Sequence, residues 1–560
     1  MTTTFSSLDR SHYLEKMSKQ TLDILVIGGG ITGAGIALDA QVRGLNTGLI
    51  EMQDFAAGTS SRSTKLVHGG LRYLKQFEIK LVAEVGKERA IVYENAPHVT
   101  TPEWMLLPMI QGGTFGKTAT SVGLKVYDFL AGVKKDERRK MLNKAATLEK
   151  EPLIRKDKLK GGGIYVEYRT DDARLTLEVM KEAVQRGATA VNYAKADDFI
   201  YENAKVVGVN VTDQLTGKTY TIYAKKIVNA AGPWVDTLRE KDQSKKGKYL
   251  HLTKGVHLVI DGDRFPLKQA VYFDTEKDGR MVFAIPRDGK TYVGTTDTFY
   301  EDDIIVHPRM TTADRDYIIN AVNYMFPSVK LTTKDIESSW SGLRPLIHEE
   351  GKSASEISRK DEIFFSESGL ISIAGGKLTG YRKMAERIVD IVAKDLGNKQ
   401  PCTTDQVRLS GGDVGGSRQF DRFVKEKTEE GMNLGFSESE ARKLTKLYGS
   451  NVTNVYKIVK EQKQKAKENH LPIDVYAGLV YGIEEEMVSS PVDFFNRRTG
   501  AVLFNIDWVQ KWKQPVLDYM KKRFSWTEEE TLLHKNKLEQ DLHYATTPIE
   551  EDVIEDKKVI

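Results

Sequence analysis

Asp23-Ile24-Leu25-Val26-Ile27-Gly28-Gly29-Gly30-Ile31-Thr32-Gly33-Ala34-Gly35 is the stretch on which the fold of this chain turns. Leu22 to Ile27 is an apolar run of the length of one buried strand, and Thr32 to Arg43 reads as the helix that follows it. Between them Gly28, Gly30 and Gly33 form a G-x-G-x-x-G set, which makes the tight turn. Free backbone N–H groups and the helix dipole at such a turn favour a pyrophosphate. The next apolar run, Thr47 to Glu51, ends on a carboxylate placed to accept hydrogen bonds from a ribose. Strand, glycines, helix, strand and acid in register predict an α/β, Rossmann-like dinucleotide-binding domain.

The whole chain has 560 residues, too many for one core, so two or three domains are expected. A net charge of +4, set against 83 basic and 79 acidic residues, gives no support for a nucleic-acid partner. The basic clusters at 134–140 and 460–467 read first as solvated helix faces, with an anionic partner surface as the alternative. Cys402 is the only cysteine, which excludes intramolecular disulfides, C-x-x-C redox chemistry, cysteine-ligated zinc and Cys₄ iron–sulfur clusters. No metal site is expected. Met1 to Gln20 lacks the apolar core of a secretory signal. No run approaches the ~18 to 20 apolar residues of a membrane span. The expectation is a cytoplasmic protein that at most rests on a membrane surface.

Behind Glu51 comes a hydroxyl-rich stretch, Gly58-Thr59-Ser60-Ser61-Arg62-Ser63-Thr64-Lys65, followed by His68-Gly69-Gly70-Leu71-Arg72-Tyr73. The first is a surface loop or a source of hydrogen bonds to a dinucleotide. Asp171 to Arg186 reads as a helix, with strands at Ala190 to Tyr193, Lys205 to Val211 and Thr219 to Tyr223. Lys226 to Trp234 reads as a further buried strand that ends in small residues, Ala230-Ala231-Gly232, where the chain can pass close to something flat or charged. Strands at Val256 to Ile260, Met281 to Pro286 and Thr291 to Gly294 indicate a β-rich substrate domain. Ile371 to Ala374 closes on Gly375-Gly376-Lys377 before a helix from Arg382 to Leu396. The glycines at 411–416 follow no apolar strand and are not read as a second dinucleotide site. Beyond residue 400 the apolar spacing becomes helical.

Dinucleotide-binding segments are expected at about 20–85, 165–250 and 355–397, interleaved with a substrate domain at about 86–164 and 251–354. A helical domain is expected over 401–545 and a mobile acidic tail from 546 to 560. NAD(P), FAD and a non-catalytic nucleotide sensor all fit the fingerprint. The return to the sheet at Ile227 to Gly232, after a helix and a β-meander, is more typical of FAD.

Five segments then carry a resemblance. They are Ile27 to Ala37, Thr59-Ser60-Ser61, Lys65 to Leu74, Ser341-Gly342-Leu343-Arg344-Pro345 and Gly375-Gly376-Lys377-Leu378-Thr379-Gly380-Tyr381-Arg382. Together they resemble the FAD-dependent glycerol-3-phosphate dehydrogenases, within the D-amino-acid-oxidase-like flavoproteins. Asp493 to Thr499 similarly resembles part of that family's C-terminal cap domain. The resemblance implies oxidation of sn-glycerol 3-phosphate to dihydroxyacetone phosphate by hydride transfer to FAD. Electrons then pass to a membrane quinone, or to oxygen in the related oxidases, and an amine oxidase of the same fold is a more distant alternative. It implies peripheral docking on the cytoplasmic face of the membrane and is compatible with a homo-oligomer.

Carried onto this chain, it marks Gly28, Gly30, Ile31, Thr32, Gly33, Glu51, Thr59, Ser60, Ser61, Ala231, Gly232, Gly376, Lys377, Leu378 and Thr379 as cofactor-binding residues. Arg72, Tyr73, Arg344 and Arg359 are marked for the substrate. An arginine fork suits a phosphate dianion, although spacing alone also allows an ordinary salt bridge. Lys377, after two glycines and before a helix, is placed to stabilise negative charge on a reduced flavin. Alcohol oxidation also needs a proton acceptor, and His68 and His257 are the candidates.

Overall fold

The computed structural model describes residues 5–68, 79–113, 138–301, 304, 308–351 and 360–550. The first βαβ unit forms as its sequence requires. β1 (Thr21–Ile27) runs into the helix Ile31–Val42 and then β2 (Thr47–Ile50), parallel to β1. Two more parallel strands flank them: β7 (Thr189–Val191) beside β2, and β10 (Thr219–Asn229) beside β1. β18 (Ile371–Ala374) joins β10 in parallel, and β17 (Glu362–Phe365) closes the edge antiparallel. The order is therefore β17-β18-β10-β1-β2-β7.

Thr219–Tyr223 and the run from Lys226 are one strand rather than two. Its first half pairs with β9 (Lys205–Asp213) and its second half with β1. The lysines that suggest a break are absorbed at the surface, Lys225 on Asp23 at 2.8 Å and Lys226 on Asp395 at 2.6 Å.

A second sheet carries β11 (Lys248–Asp261) and β16 (Ile336–Glu349), paired along nearly their whole length. Both are longer than their apolar cores suggest. The two residues of β3 (Leu66–Val67) belong to this sheet, through β6 (Leu159–Thr170), although they fall within a segment expected to be dinucleotide-binding. One face of the sheet is covered by the helix Thr312–Met325, with Ile318, Val322 and Met325 buried. The other face is covered by C-terminal helices, through Val475, Leu479, Val502, Val516 and Leu538 among others.

The segment expected to be a mobile tail is tied down as far as it is described. Ile549 bridges Thr311, and its N–H donates to the Met310 carbonyl at 2.8 Å. The lysines of the 460–467 cluster are exposed on one helix, whereas 134–137 of the other cluster lie outside the described residues. The glycines at 411–416 serve packing: Gly411 sits against His98 and Gly412 against the Asn95 carbonyl.

Candidate active site

The turn after β1 uses each glycine for a different reason. Gly28 has φ +118°, and a Cβ there would lie 2.5 Å from the Ala230 carbonyl oxygen at the end of β10. Gly30 is the extended N-cap of the helix. Gly33 faces the Gly28 carbonyl so closely that any side chain would collide with it. Gly33 therefore fixes how closely the helix packs on the turn and does not itself line the cleft.

A cleft of about 450 Å³ runs past this turn, within the range of small-molecule sites. Its walls come from the ends of all five parallel strands: Ala194–Ala196 beyond β7, Glu51–Gln53 after β2, Ile27–Thr32 after β1, Ala230–Trp234 after β10 and Gly375–Leu378 after β18. Crossing five strands at ~4.8 Å per spacing gives a trough roughly 19 Å long. Ligands in open α/β sheets sit in this place, beyond the carboxyl ends of the strands. The trough suits an extended dinucleotide, and its glycine-rich turn suits the pyrophosphate.

The structure brings together most of the residues marked for the cofactor. Gly28, Gly30, Ile31, Thr32, Glu51, Thr59, Ser60, Ala231, Gly232, Gly376, Lys377 and Leu378 line the cleft. Glu51 takes the Gly29 N–H at 2.6 Å on one oxygen and the Gln53 N–H at 2.8 Å on the other. Burial nevertheless pushes its carboxyl above the ordinary value. The hydroxyl-rich stretch is cleft wall: the Ser60 hydroxyl oxygen accepts from Ile31 N–H at 2.9 Å, and Thr59 donates to the Leu343 carbonyl at 2.7 Å.

Ser61 and Thr379, like Gly33, stand behind the wall. The Ser61 carbonyl accepts from Lys65 at 2.9 Å, and the Thr379 hydroxyl bonds the backbone of His68, accepting its N–H at 3.1 Å. Ala194–Ala196 line the cleft without a local sequence signal, because their place follows from strand order and sheet pairing.

Two pairs of reactive side chains stand where the chain passes from the cleft to the second sheet, Lys377 with His68 and Arg344 with His257. Lys377 lies in the cleft, directly before the turn Leu378–Gly380 that leads into the helix Tyr381–Asp395. Burial, then the charges of Lys377 and Arg89, lowers His68 to about 3, and its ring meets Phe283 edge-on at 6.0 Å. His257 on β11 is stacked on Trp340 at 4.6 Å, with Nε2 3.0 Å from the Thr64 hydroxyl. Its Nδ1 is buried and has no hydrogen-bond partner among the described residues. Burial, with Arg344 and Lys65 nearby, holds it well below its ordinary value. Both imidazoles are thus neutral at physiological pH.

Arg344 stands on β16 beside the cleft-lining Pro345. It is ion-paired with Asp297 at 3.0 Å and also donates to the Thr295 hydroxyl at 3.0 Å. The salt bridge that spacing alone allows is therefore present, at the edge of the cleft. Arg72, Tyr73 and Arg359 lie outside the described residues.

Comparison with known proteins agrees with this geometry. Residues 23–382 match the family described as FAD dependent oxidoreductase, and residues 402–531 match the C-terminal domain of alpha-glycerophosphate oxidase. The chain is 63% identical over 552 residues to the aerobic glycerol-3-phosphate dehydrogenase of Bacillus subtilis, covering 98% of this chain and 99% of that protein. It is 58% identical over 546 residues to the enzyme of the same name from Staphylococcus aureus, covering 96% and 98%. Among solved structures it is similar to the glycerol-3-phosphate dehydrogenase from Bacillus halodurans complexed with FAD. That match has a TM-score of 0.86 and 60% identity, and covers 97% of this chain and 99% of the other. The L-alpha-glycerophosphate oxidase from Mycoplasma pneumoniae, at 18% identity and a TM-score of 0.54, shares the fold over 67% of this chain.

Proposed function

We propose that this chain, which belongs to the FAD dependent oxidoreductases and within them to the aerobic glycerol-3-phosphate dehydrogenases, oxidises sn-glycerol 3-phosphate to dihydroxyacetone phosphate. FAD supplies the hydride acceptor when bound. The observation that carries the reading is a dinucleotide cleft with Lys377 in its wall and His68 close to that lysine, and with Arg344, next in sequence to the cleft-lining Pro345, close to His257.

Each of the chain's own groups has a task that its setting suits. Arg344 grips the phosphate or polarises the C2 oxygen, sharing its charge with Asp297. His68 or His257 takes the hydroxyl proton as the C2 hydride leaves. Lys377 and the N–H groups at the following turn stabilise negative charge on the flavin side of the cleft. Glu51 holds the adenosine ribose. Glu51→Ala removes two charge-assisted hydrogen bonds, on the order of 1.5 to 3 kcal/mol each. FAD affinity should fall steeply by fluorescence titration, and FMN, which lacks that ribose, should lose less. Equal losses would assign Glu51 to bracing the turn alone.

The final acceptor is a membrane quinone, which takes two electrons and two protons to become the quinol. None of the described helices is long and apolar enough to cross a bilayer. In this reading docking is peripheral, on the cytoplasmic face, through basic or amphipathic surface such as the C-terminal helices. There Leu532 and Leu533 are 56% and 51% exposed, and Lys522 on the preceding helix is exposed as well. Binding to anionic liposomes should weaken as salt rises. Steady turnover of glycerol 3-phosphate with a soluble quinone analogue and little peroxide would support this acceptor. No flotation at low salt, with rapid peroxide release, would assign oxygen instead.

A further inference from the structure

Asp493 to Arg498, the segment of the C-terminal domain with the most recognisable sequence, has no part in the chemistry above, yet it reaches the cofactor cleft through one buried carboxylate. Asp54 lies three residues beyond Glu51, and its side chain is fully buried. Arg498 holds it with two nitrogens, Nη1 to Oδ2 at 2.7 Å and Nη2 to Oδ1 at 2.9 Å. Arg497 adds Nε to Oδ2 at 2.5 Å. Asn192, just after β7, donates to Oδ1 at 3.0 Å. Burial opposes the charge, but the two guanidiniums keep the Asp54 carboxyl below the usual carboxylate range.

The arginines are fixed in turn from within their own domain. Arg497 pairs with Asp493 at 2.8 Å, and Asp493 also accepts the Tyr193 hydroxyl at 2.6 Å. Arg498 donates to the Glu486 carbonyl at 2.6 Å. The clamp is therefore anchored on both sides.

The segment that Asp54 belongs to encloses the pyrophosphate turn. Glu51 accepts the Gly29 N–H, and Ala56 N–H donates to the Gly29 carbonyl at 3.0 Å. Phe55 lies directly against Gly29, and its ring stacks on Phe5 at 5.5 Å. Met52, Gln53, Ala57 and Gly58 line the cleft itself. Residues 51–58 are thus bonded to the turn at both ends, and their midpoint is held by the C-terminal domain.

We infer that Arg497 and Arg498 are positioning residues for FAD: by clamping Asp54 they hold residues 51–58, and with them Glu51 and the Gly29 peptide, in the geometry that binds the dinucleotide. FAD affinity then depends on the clamp at Asp54 and not on the domain's other anchors. By linkage, bound FAD tightens that clamp by the same factor. The inference rests on FAD occupying the cleft described above.

The test measures FAD dissociation constants of stripped full-length protein, together with the thermal midpoint of each variant with and without FAD. Arg498→Met should weaken FAD at least tenfold and shrink the FAD-induced rise in midpoint. Arg498→Lys, able to keep one bond to Asp54, should recover part of the affinity. Ser339→Ala serves as the comparison. It removes a buried anchor of the same domain, the Ser339 hydroxyl bond to the Ala545 carbonyl at 3.0 Å, without touching Asp54 or Glu486. Its midpoint should fall while its FAD constant stays within twofold of the parent. If Arg498→Met does not fold, Arg498→Lys against Ser339→Ala makes the same comparison. FAD constants within twofold in the Arg498 variants would overturn the inference, as would equal losses in the Arg498 and Ser339 variants. Failure of the parent itself to bind FAD would instead overturn the assignment of the cleft.

Discussion

Arg344→Met should leave the flavin bound and slow its reduction by glycerol 3-phosphate by roughly 10² to 10⁴. A guanidinium contact desolvated under bound substrate contributes ~3 to 5 kcal/mol, and each 1.36 kcal/mol is tenfold in rate. Flavin should be retained because the pyrophosphate turn, Gly28 to Gly33, lies two strands away from the β18 end of the cleft. The substitution also strips Asp297 of a partner at 3.0 Å. The double variant Arg344→Met/Asp297→Asn removes that stray charge and should be no faster than the single one. Unphosphorylated glycerol distinguishes the two roles open to Arg344. It should lose little if Arg344 binds phosphate, and as much as the natural substrate if Arg344 acts on the reacting oxygen. Unchanged stopped-flow rates with both substrates would remove Arg344 from the site.

The second large effect is at Gly33. A side chain there would overlap the Gly28 carbonyl, so the helix must move off the turn to admit even alanine. Gly33→Asp adds a negative charge beside the pyrophosphate and opposes the helix dipole that favours it. The protein should purify colourless and melt well below the parent. A full complement of flavin in this variant would show that the turn does not hold the dinucleotide.

What could be read from the sequence is what is local in it. Asp23 to Gly35 and Glu51 are separated by a single helix, so one fingerprint reports strand, turn, helix and acid together. The same holds for Gly375-Gly376-Lys377, which sits between a strand and a helix. The wall that comes from Ala194–Ala196 was not legible, since nothing in an alanine pair announces a strand end beside a cofactor. It follows from the order β18-β10-β1-β2-β7, a product of long-range packing.

Arg344 shows a different limit. Its residue type suits either a phosphate or a carboxylate, and the structure pairs it with the carboxylate of Asp297, so the phosphate role rests on the substitution above. The clamp on Asp54 was beyond reach for the plainest reason. Arg498 lies 444 residues away in the chain, and only the docking of the helical domain brings the pair together.

The most direct test of the central claim is an anaerobic absorbance spectrum of the purified protein before and after one equivalent of sn-glycerol 3-phosphate. The account predicts a yellow flavoprotein whose oxidised flavin band is lost on mixing, with dihydroxyacetone phosphate formed in equal amount. It also predicts that the colour returns on adding a quinone analogue. A fully loaded flavin band that glycerol 3-phosphate leaves unchanged would contradict it.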